Sequence, residues 1–330
     1  MSSYPRATAA GWFPIATVRQ LGRKPLARML MDTPLVVFRG ETGPAVLLDS
    51  CPHRHVALSA GRLRGSEIEC PYHGWRFAGD GRGTLTPGAV SPAAHRAKAL
   101  PAMERAGLIW TTLGTADFPA LPPVLTETGF DHFWWPIPSS RAGLEDAVEN
   151  LLDPAHPHFL HAGIVRSNKI RRPVEVTVRF QPGYAEAIYV ENARPQAWMP
   201  RLLEGIRTIG IGRFLPPSTA QLIFEGPAGI RLAITVFFTP ETATTVRSFA
   251  HFATQRRLAP AFVKRCLLLA FNFPILQQDR RVLCQQMDNA DRLSRVHYAH
   301  GPLDFLRPAI TALMADEALA VSDQKLTVYL

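Results

Sequence analysis

The sequence predicts an α+β protein whose N-terminal part is all-β and whose second part is an antiparallel sheet with a long helix. In the first third, short apolar runs alternate with turn residues, and Leu35–Asp49 has the two apolar runs and glycine-containing turn of a β-hairpin. Between residues 174 and 252, alternating apolar and polar residues predict an antiparallel sheet with one covered face. A helical pattern then extends from about Pro260 to Met287, and Pro274 predicts a kink within it.

The boundary between the two parts is predicted near residue 118. Gly107–Gly114 has the composition of a strand that closes the first domain, and the next segment, Phe118–Leu125, contains three prolines and resembles a linker. We therefore expect one domain over residues 1–118 and a second over residues 119–330.

Composition and charge exclude several classes of function. The net charge is +9, but the basic residues are scattered, without a nucleic-acid-binding signature, so we expect no nucleic-acid partner. A basic surface could still attract an acidic protein partner. The apolar run Cys266–Phe271 is too short to cross a bilayer, and the N-terminus lacks a secretion signal, so we expect no membrane association and a cytoplasmic location.

Two cysteine- and histidine-containing segments are the strongest motif. Cys51 and His53 are one residue apart, Cys70 and His73 two residues apart, and sixteen residues separate the halves. A closed, tetrahedral zinc site is one interpretation. Zinc fingers usually take two cysteines from one loop and two histidines from the other, whereas here each loop offers one of each. That mixture suits a [2Fe–2S] cluster in which the cysteines hold one iron and the histidines the other.

The segments CPHRH and CPYHGW resemble the Rieske motif, with Leu58-Ser59, Gly61 and Gly65 in fitting surroundings. Rieske proteins of respiratory complexes carry an additional cysteine in each loop. Here these places hold Val56 and Tyr72, so the resemblance is to the oxygenases and their ferredoxins. It implies a [2Fe–2S] cluster bound by Cys51, His53, Cys70 and His73.

A histidine-containing segment, NLLDPAHPHFLHAG, predicts a second metal site. Asn150, Asp153, His156 and His161 resemble, in type and spacing, the mononuclear-iron motif of Rieske non-haem oxygenases. The segment from Ser140 is helical at its start, and on a regular helix residues five apart point about 140° from each other. The two histidines can therefore share one metal only if the turn is irregular, as Pro157 allows. Asp153 before Pro154 is equally a natural helix N-cap, and His158 falls outside the motif.

Two histidines need a carboxylate to complete a facial triad. The late helix offers three aspartates, and the order of residues after Asp279 resembles the carboxylate segment of the family, although Gln278 stands where the family has an acid and Cys284 where it has a glutamate. We expect Asp279 to be the ligand, with Asp288 as the alternative. Asp279 could otherwise be an ordinary helix acid beside Arg280.

The order of the motifs resembles the terminal oxygenase (α) subunit of a Rieske non-haem iron oxygenase, of the group without a β subunit that includes vanillate and dicamba demethylases. The resemblance implies a Rieske domain followed by a helix-grip catalytic domain, with mononuclear Fe(II) as a second cofactor. It also implies a homotrimer in which Asp153 connects His156 to His73 of the adjacent chain, with Asp153 and Asn150 as catalytic residues.

The expected activity is O2-dependent hydroxylation or oxidative dealkylation of a small aromatic or alicyclic substrate. Electrons would come from a flavin and iron–sulfur reductase, directly or through a ferredoxin. Two alternatives remain open at this point. The chain could be a Rieske-type electron-transfer protein with a non-catalytic ligand- or partner-binding domain, or a zinc-stabilised binding module.

Overall fold

A computed structural model describes residues 4–91, 94–166, 171–193, 207–256, 259–293 and 298–330. The chain forms two compact units. The N-terminal unit comprises residues 9–119 together with 239–243, and the C-terminal unit comprises residues 120–238 and 244–330 with the first eight residues. The division into functional domains at residue 118 stays a prediction.

The N-terminal unit is built from three small antiparallel sheets, as the all-β expectation requires. Their strand orders are β1-β11-β10, β2-β3-β4-β9 and β5-β6-β7-β8. The predicted hairpin is confirmed, since Leu35 of β3 pairs with Leu48 of β4. The strands are β1 Trp12–Thr17, β2 Leu26–Leu30, β3 Thr33–Arg39, β4 Pro44–Leu48, β5 Arg62–Arg64, β6 Glu67–Glu69, β7 Arg76–Phe77, β8 Gly83–Leu85, β9 Ala99–Leu100, β10 Ala102–Arg105 and β11 Leu108–Thr112, and a short helix, α1 Arg6–Ala10, precedes them.

The C-terminal unit is organised around one eight-stranded antiparallel sheet with the order β12-β18-β17-β16-β15-β14-β13-β19. The six strands from β13 to β18 lie in the sheet in the order in which they follow one another along the chain. Strands β12 and β19 form the two edges of the sheet. Their bounds are β12 Phe130–Arg141, β13 Pro173–Gln181, β14 Tyr184–Ala193, β15 Arg207–Leu215, β16 Thr219–Gly226, β17 Gly229–Thr242, β18 Thr245–Gln255 and β19 Ser322–Tyr329. The predicted antiparallel sheet and α+β class are confirmed.

The two edge strands were not predicted from the sequence. β12 contains Pro136 and Pro138, which lack the backbone N–H that a central strand needs. At an edge, one side of the strand has no partner, so proline is tolerated there. β19 is mostly polar, with Asp323, Gln324 and Lys325 in succession, and therefore has no apolar alternation to find.

Within the described ranges, three α-helices accompany the sheet: α2 Leu144–Leu152, α3 Ala261–Leu293 and α4 Arg307–Met314. The long helix is confirmed and extends six residues beyond the predicted end at Met287. It continues through Pro274 and packs Leu268 and Leu283 into the main core. Among the described residues, no helix is long and apolar enough to span a membrane.

Helix α2 is anchored by a buried cation. Arg307, at the start of α4, forms ion pairs with Glu145, Asp146 and Glu149, all on α2. Burial raises the pKa of Glu149 even though Arg307 opposes the shift. Because a guanidinium donates several hydrogen bonds in fixed directions, this contact holds the orientation of α2, the helix that leads into the histidine segment.

Candidate active site

The two cysteine-containing loops have the same backbone geometry. In the first, the N–H of Cys51 donates to the carbonyl of Val56 at 2.9 Å, and the N–H of His55 donates back to Cys51 at 2.8 Å. In the second, Cys70 and Trp75 make the matching bond at 2.8 Å, and the N–H of Gly74 donates to Cys70 at 3.1 Å. The fourth residue after each cysteine has a positive φ, +59° at His55 and +70° at Gly74. Two equivalent loops therefore present equivalent cysteines.

The four predicted ligands divide into a sulfur pair and a nitrogen pair. Cys51 and Cys70 are buried, and burial, reinforced by the neighbouring Cys70, raises the pKa of the Cys51 thiol to about 11. The rings of His53 and His73 have centroids 4.5 Å apart, and His53 stacks on Trp75. The buried Nδ1 atom of His53 has no hydrogen-bond partner.

This division tests the zinc interpretation. The ligand atoms of a tetrahedral zinc site lie about 3.3–3.8 Å from one another. Within the described part of the chain, only His156, His161 and Asp279 bring three ligand atoms within 4.8 Å of one another. The two cysteines and two histidines therefore do not converge on one ion, and a two-iron cluster with sulfur ligands at one end and nitrogen ligands at the other fits them better.

The histidine segment is irregular because α2 ends at Asp153. Asp153 has extended backbone angles, φ −70° and ψ 120°, and a short 3-10 helix, His156–His158, follows. Its carboxylate accepts the N–H of Ala155 at 2.7 Å and that of His156 at 3.3 Å. The N-cap of the short helix is Ala155, so the expectation of Asp153 as an N-cap with Pro154 at the first helical position is wrong. Asp153 Oδ2 also lies 3.4 Å from His156 Nδ1. Burial would raise the pKa of Asp153, but these contacts outweigh it and the pKa is lowered.

The irregular turn brings both histidines to one acid. The Nε2 atom of His161 lies 3.1 Å from Asp279 Oδ1, and the Nε2 atom of His156 lies 3.8 Å from the same oxygen. His161 Nε2 and Asp279 Oδ1 are buried and make no hydrogen bond despite that proximity. Ligands that share a metal ion on adjacent positions lie about 3 Å apart. Two imidazoles and one carboxylate that approach one another at one point fit a facial-triad metal site, and the His161 and Asp279 atoms there are unpaired.

The other candidate residues are placed as follows. Asn150, on α2, lines the same cavity as the triad. His158 is buried and is not part of the triad. Asp288 forms an ion pair with Arg141, with 2.9 Å between Oδ1 and Nε, rather than approaching the histidines.

A cavity of about 270 Å³ opens onto the triad. Helix α3 contributes one face to it, since the lining positions recur at intervals of three and four residues, as expected for a helix face. The helix residues are Leu268, Phe271, Asn272, Ile275, Leu276 and Asp279. Strands β15, β16 and β17 also line it, through Gly210 to Gly212, Leu222, Phe224, Leu232, Ile234 and Val236.

Gln278 is a site residue that the sequence did not suggest as one. Its Oε1 atom accepts a hydrogen bond from His161 Nδ1 at 2.7 Å. Burial lowers the pKa of His161, but the contacts with Asp279 and Gln278 outweigh it and the pKa is raised. In the sequence, Gln278 was visible only as a departure from the family pattern.

Two family models match the chain. The Rieske [2Fe-2S] domain matches residues 11–102, and the vanillate O-demethylase oxygenase C-terminal domain matches residues 140–305. The second match covers half of the chain and includes the whole triad.

Named relatives and solved structures agree with these matches. The chain is 31% identical over 212 residues to the oxygenase component of dicamba O-demethylase from Stenotrophomonas maltophilia, which covers 60% of each protein. It is 28% identical to the oxygenase component of chloroacetanilide N-alkylformylase from Rhizorhabdus wittichii, over 72% of this chain and 74% of the relative. The crystal structure of dicamba monooxygenase bound to dicamba superposes with a TM-score of 0.81 at 22% identity, over 94% of this chain and 97% of that one. The last comparison supports the fold.

We predict that Cys51→Ser abolishes the iron–sulfur cluster, because the serine hydroxyl is a poor substitute for a thiolate ligand. Iron and acid-labile sulfide analysis, with the visible spectrum, will measure the loss. Cys266→Ser is the matched control because its thiol is exposed and distant in sequence from both loops. Stoichiometric zinc without sulfide in the unaltered protein would contradict the cluster assignment.

Proposed function

The chain belongs to the Rieske oxygenases with a vanillate O-demethylase-type C-terminal domain, and we propose that it is the terminal oxygenase component of such a system. The proposed activity is O2-dependent hydroxylation or oxidative dealkylation of a small aromatic or alicyclic molecule. The observation that carries it is the convergence of His156, His161 and Asp279 at the end of an apolar cavity.

Two separate sets of residues would hold the two metal groups. Cys51, His53, Cys70 and His73 would hold the [2Fe–2S] cluster, which supplies electrons singly. His156, His161 and Asp279 would hold Fe(II), which would supply the activation of O2 beside a substrate. The overall reaction takes up O2, a pair of electrons and a pair of protons. One oxygen atom enters the organic product and the other leaves as water.

Asp153 is proposed to orient both metal sites. One oxygen of its carboxylate accepts the N–H of Ala155 and holds the turn, while the other oxygen faces His156 Nδ1. A negative charge beside Nδ1 favours the tautomer with the proton on that atom, which leaves His156 Nε2 for iron. The carboxylate remains about one third exposed, which leaves room for a second donor. In the proposed homotrimer, that donor is His73 of the partner subunit. The exposed position of His73 in its own loop is compatible with such a contact.

The cavity supports a flat, apolar substrate. On the sheet, Gly210 lies between Tyr189 of β14 and Phe224 of β16 in the same row of paired residues. A Cβ atom at Gly210 would lie 3.9 Å from both neighbours, so the glycine leaves a methyl-sized gap between two aromatic side chains. Glycine inside a strand often marks a place where a ligand approaches the backbone closely. A planar ring placed against Gly210 would contact aromatic groups on both sides.

The electron donor is proposed to be a reductase with flavin and iron–sulfur groups, acting directly or through a ferredoxin. The named relatives are oxygenase components, which supports separate donors. The net charge of +9 favours an acidic donor surface through electrostatic steering. The proposed location of the complex is the cytoplasm.

Metal analysis with substrate screening tests the function. We expect two irons and sulfide in the cluster and a further iron in the triad, with a reduced Rieske signal in electron paramagnetic resonance. His161→Ala should retain the cluster signal, lose the additional iron and form no product. A cluster with no further iron in the unaltered protein would instead favour the electron-transfer interpretation.

We predict that Asp153→Asn retains both metal groups but lowers turnover by about 10- to 100-fold, the range in which the loss of a hydrogen-bond partner of a metal ligand affects activity. Asparagine keeps an oxygen for the backbone N–H of Ala155 but loses the charge that faces His156. Asp153→Ala removes both, and we expect it to abolish most turnover as well. Normal turnover of Asp153→Asn with intact metal content would contradict the orienting role.

We predict that Gly210→Ala narrows substrate selection. The added methyl fits without backbone strain but fills the gap between Tyr189 and Phe224. For a pair of aryl methyl ethers differing by one ring substituent, kcat/KM for the larger should fall about 10- to 100-fold relative to the smaller. Gly129→Ala is the control, because its Cβ would meet open space away from the cavity lining. Unchanged selectivity would place substrate elsewhere in the cavity.

A further inference from the structure

We infer that Gln278 is the positioning residue of His161, a role that rests on the proposed iron site. The two Nδ1 atoms of the triad histidines face different acceptors. His156 Nδ1 faces the carboxylate of Asp153 at 3.4 Å, and His161 Nδ1 faces the amide oxygen of Gln278 at 2.7 Å. One acceptor is charged and the other is neutral.

Gln278 and Asp279 contact opposite edges of the His161 ring. Gln278 and Asp279 are consecutive on α3, and successive helix residues point about 100° apart. Gln278 reaches Nδ1 while Asp279 lies 3.1 Å from Nε2, so the imidazole is held between neighbouring side chains of one helix. A hydrogen bond from Nδ1–H to Oε1 leaves the lone pair of Nε2 for a metal ion. The amide therefore selects the metal-binding tautomer.

Burial makes the contact hard to replace. The side chain of His161 is 2% exposed, so bulk water has no access to Nδ1. Without Gln278, the ring must either leave a buried donor unsatisfied or rotate, and both outcomes weaken the metal site. A glutamate at the same position would keep the acceptor and add a charge that strengthens the imidazole as a ligand.

Fe(II) titration of the full-length protein tests the inference. The triad ion is first removed by a chelator, and the cluster signal confirms that the cluster remains. Gln278→Met keeps the side-chain length and removes the acceptor, and we expect a 10- to 100-fold weaker Fe(II) affinity. Gln278→Glu should bind Fe(II) at least as tightly as the unaltered protein. Gln285→Met, at an exposed position on the same helix, is the control.

A second readout separates positioning from general stability. With Co(II) in the triad, each histidine gives a hyperfine-shifted, solvent-exchangeable N–H resonance. The Met variant should lose one of two such resonances and the Glu variant should retain both, while each metal-free protein still unfolds in one cooperative thermal transition. If Gln278→Met fails to fold, Gln278→Leu replaces it.

The outcomes distinguish this inference from the proposed function. Equal Fe(II) affinity and both resonances in Gln278→Met would overturn the role of Gln278 and leave the oxygenase proposal standing. Failure of the unaltered protein to bind Fe(II) in the triad would overturn both. Loss of affinity in both Gln278→Met and Gln278→Glu would also overturn the inference, because glutamate keeps an oxygen acceptor in the same place.

Discussion

The ending of α2 at Asp153 is the constraint on which the catalytic site depends. Two histidines five residues apart diverge on a regular helix, so they can meet only if the helix stops before them. Asp153 ends it with extended backbone angles, and its carboxylate then accepts a hydrogen bond from the N–H of Ala155. The same carboxylate faces His156. One residue therefore ends a helix, binds the backbone of the next turn and places a carboxylate beside a histidine.

In the N-terminal unit, a repeated backbone geometry positions the predicted cluster ligands. The two cysteine loops repeat one hydrogen-bonding pattern, and each takes a left-handed residue at the same position, His55 or Gly74. Repetition places the cysteines equivalently, while the histidines occupy different positions within their loops, the second and third residues after the cysteine. Sulfur and nitrogen ligands consequently separate into two pairs, as a two-iron cluster requires and a single zinc ion does not.

Much of this organisation was predictable, and the exceptions have physical reasons. The central strands and α3 follow from alternation and helical periodicity, whereas β12 and β19 were missed because edge positions tolerate prolines and polar runs. The choice of carboxylate was predictable in principle. Asp288 is nine residues from Asp279, or about half a turn around the helix, so only one of the two can face the cavity. The contact of Gln278 was not predictable, because it depends on the orientation of a ring from a distant segment.

The Nδ1 atoms of His156 and His161 face a carboxylate and an amide respectively, and this difference bears on the proposed iron site. The acceptor that faces His156 Nδ1 carries a negative charge, whereas the amide that faces His161 Nδ1 is neutral. His156 is also the histidine whose acceptor is partly exposed, whereas His161 is sealed between α3 and its own turn. The charged, accessible side is thus the one through which a neighbouring cluster could be connected. The neutral amide of Gln278 holds the ring of His161 beside the substrate cavity.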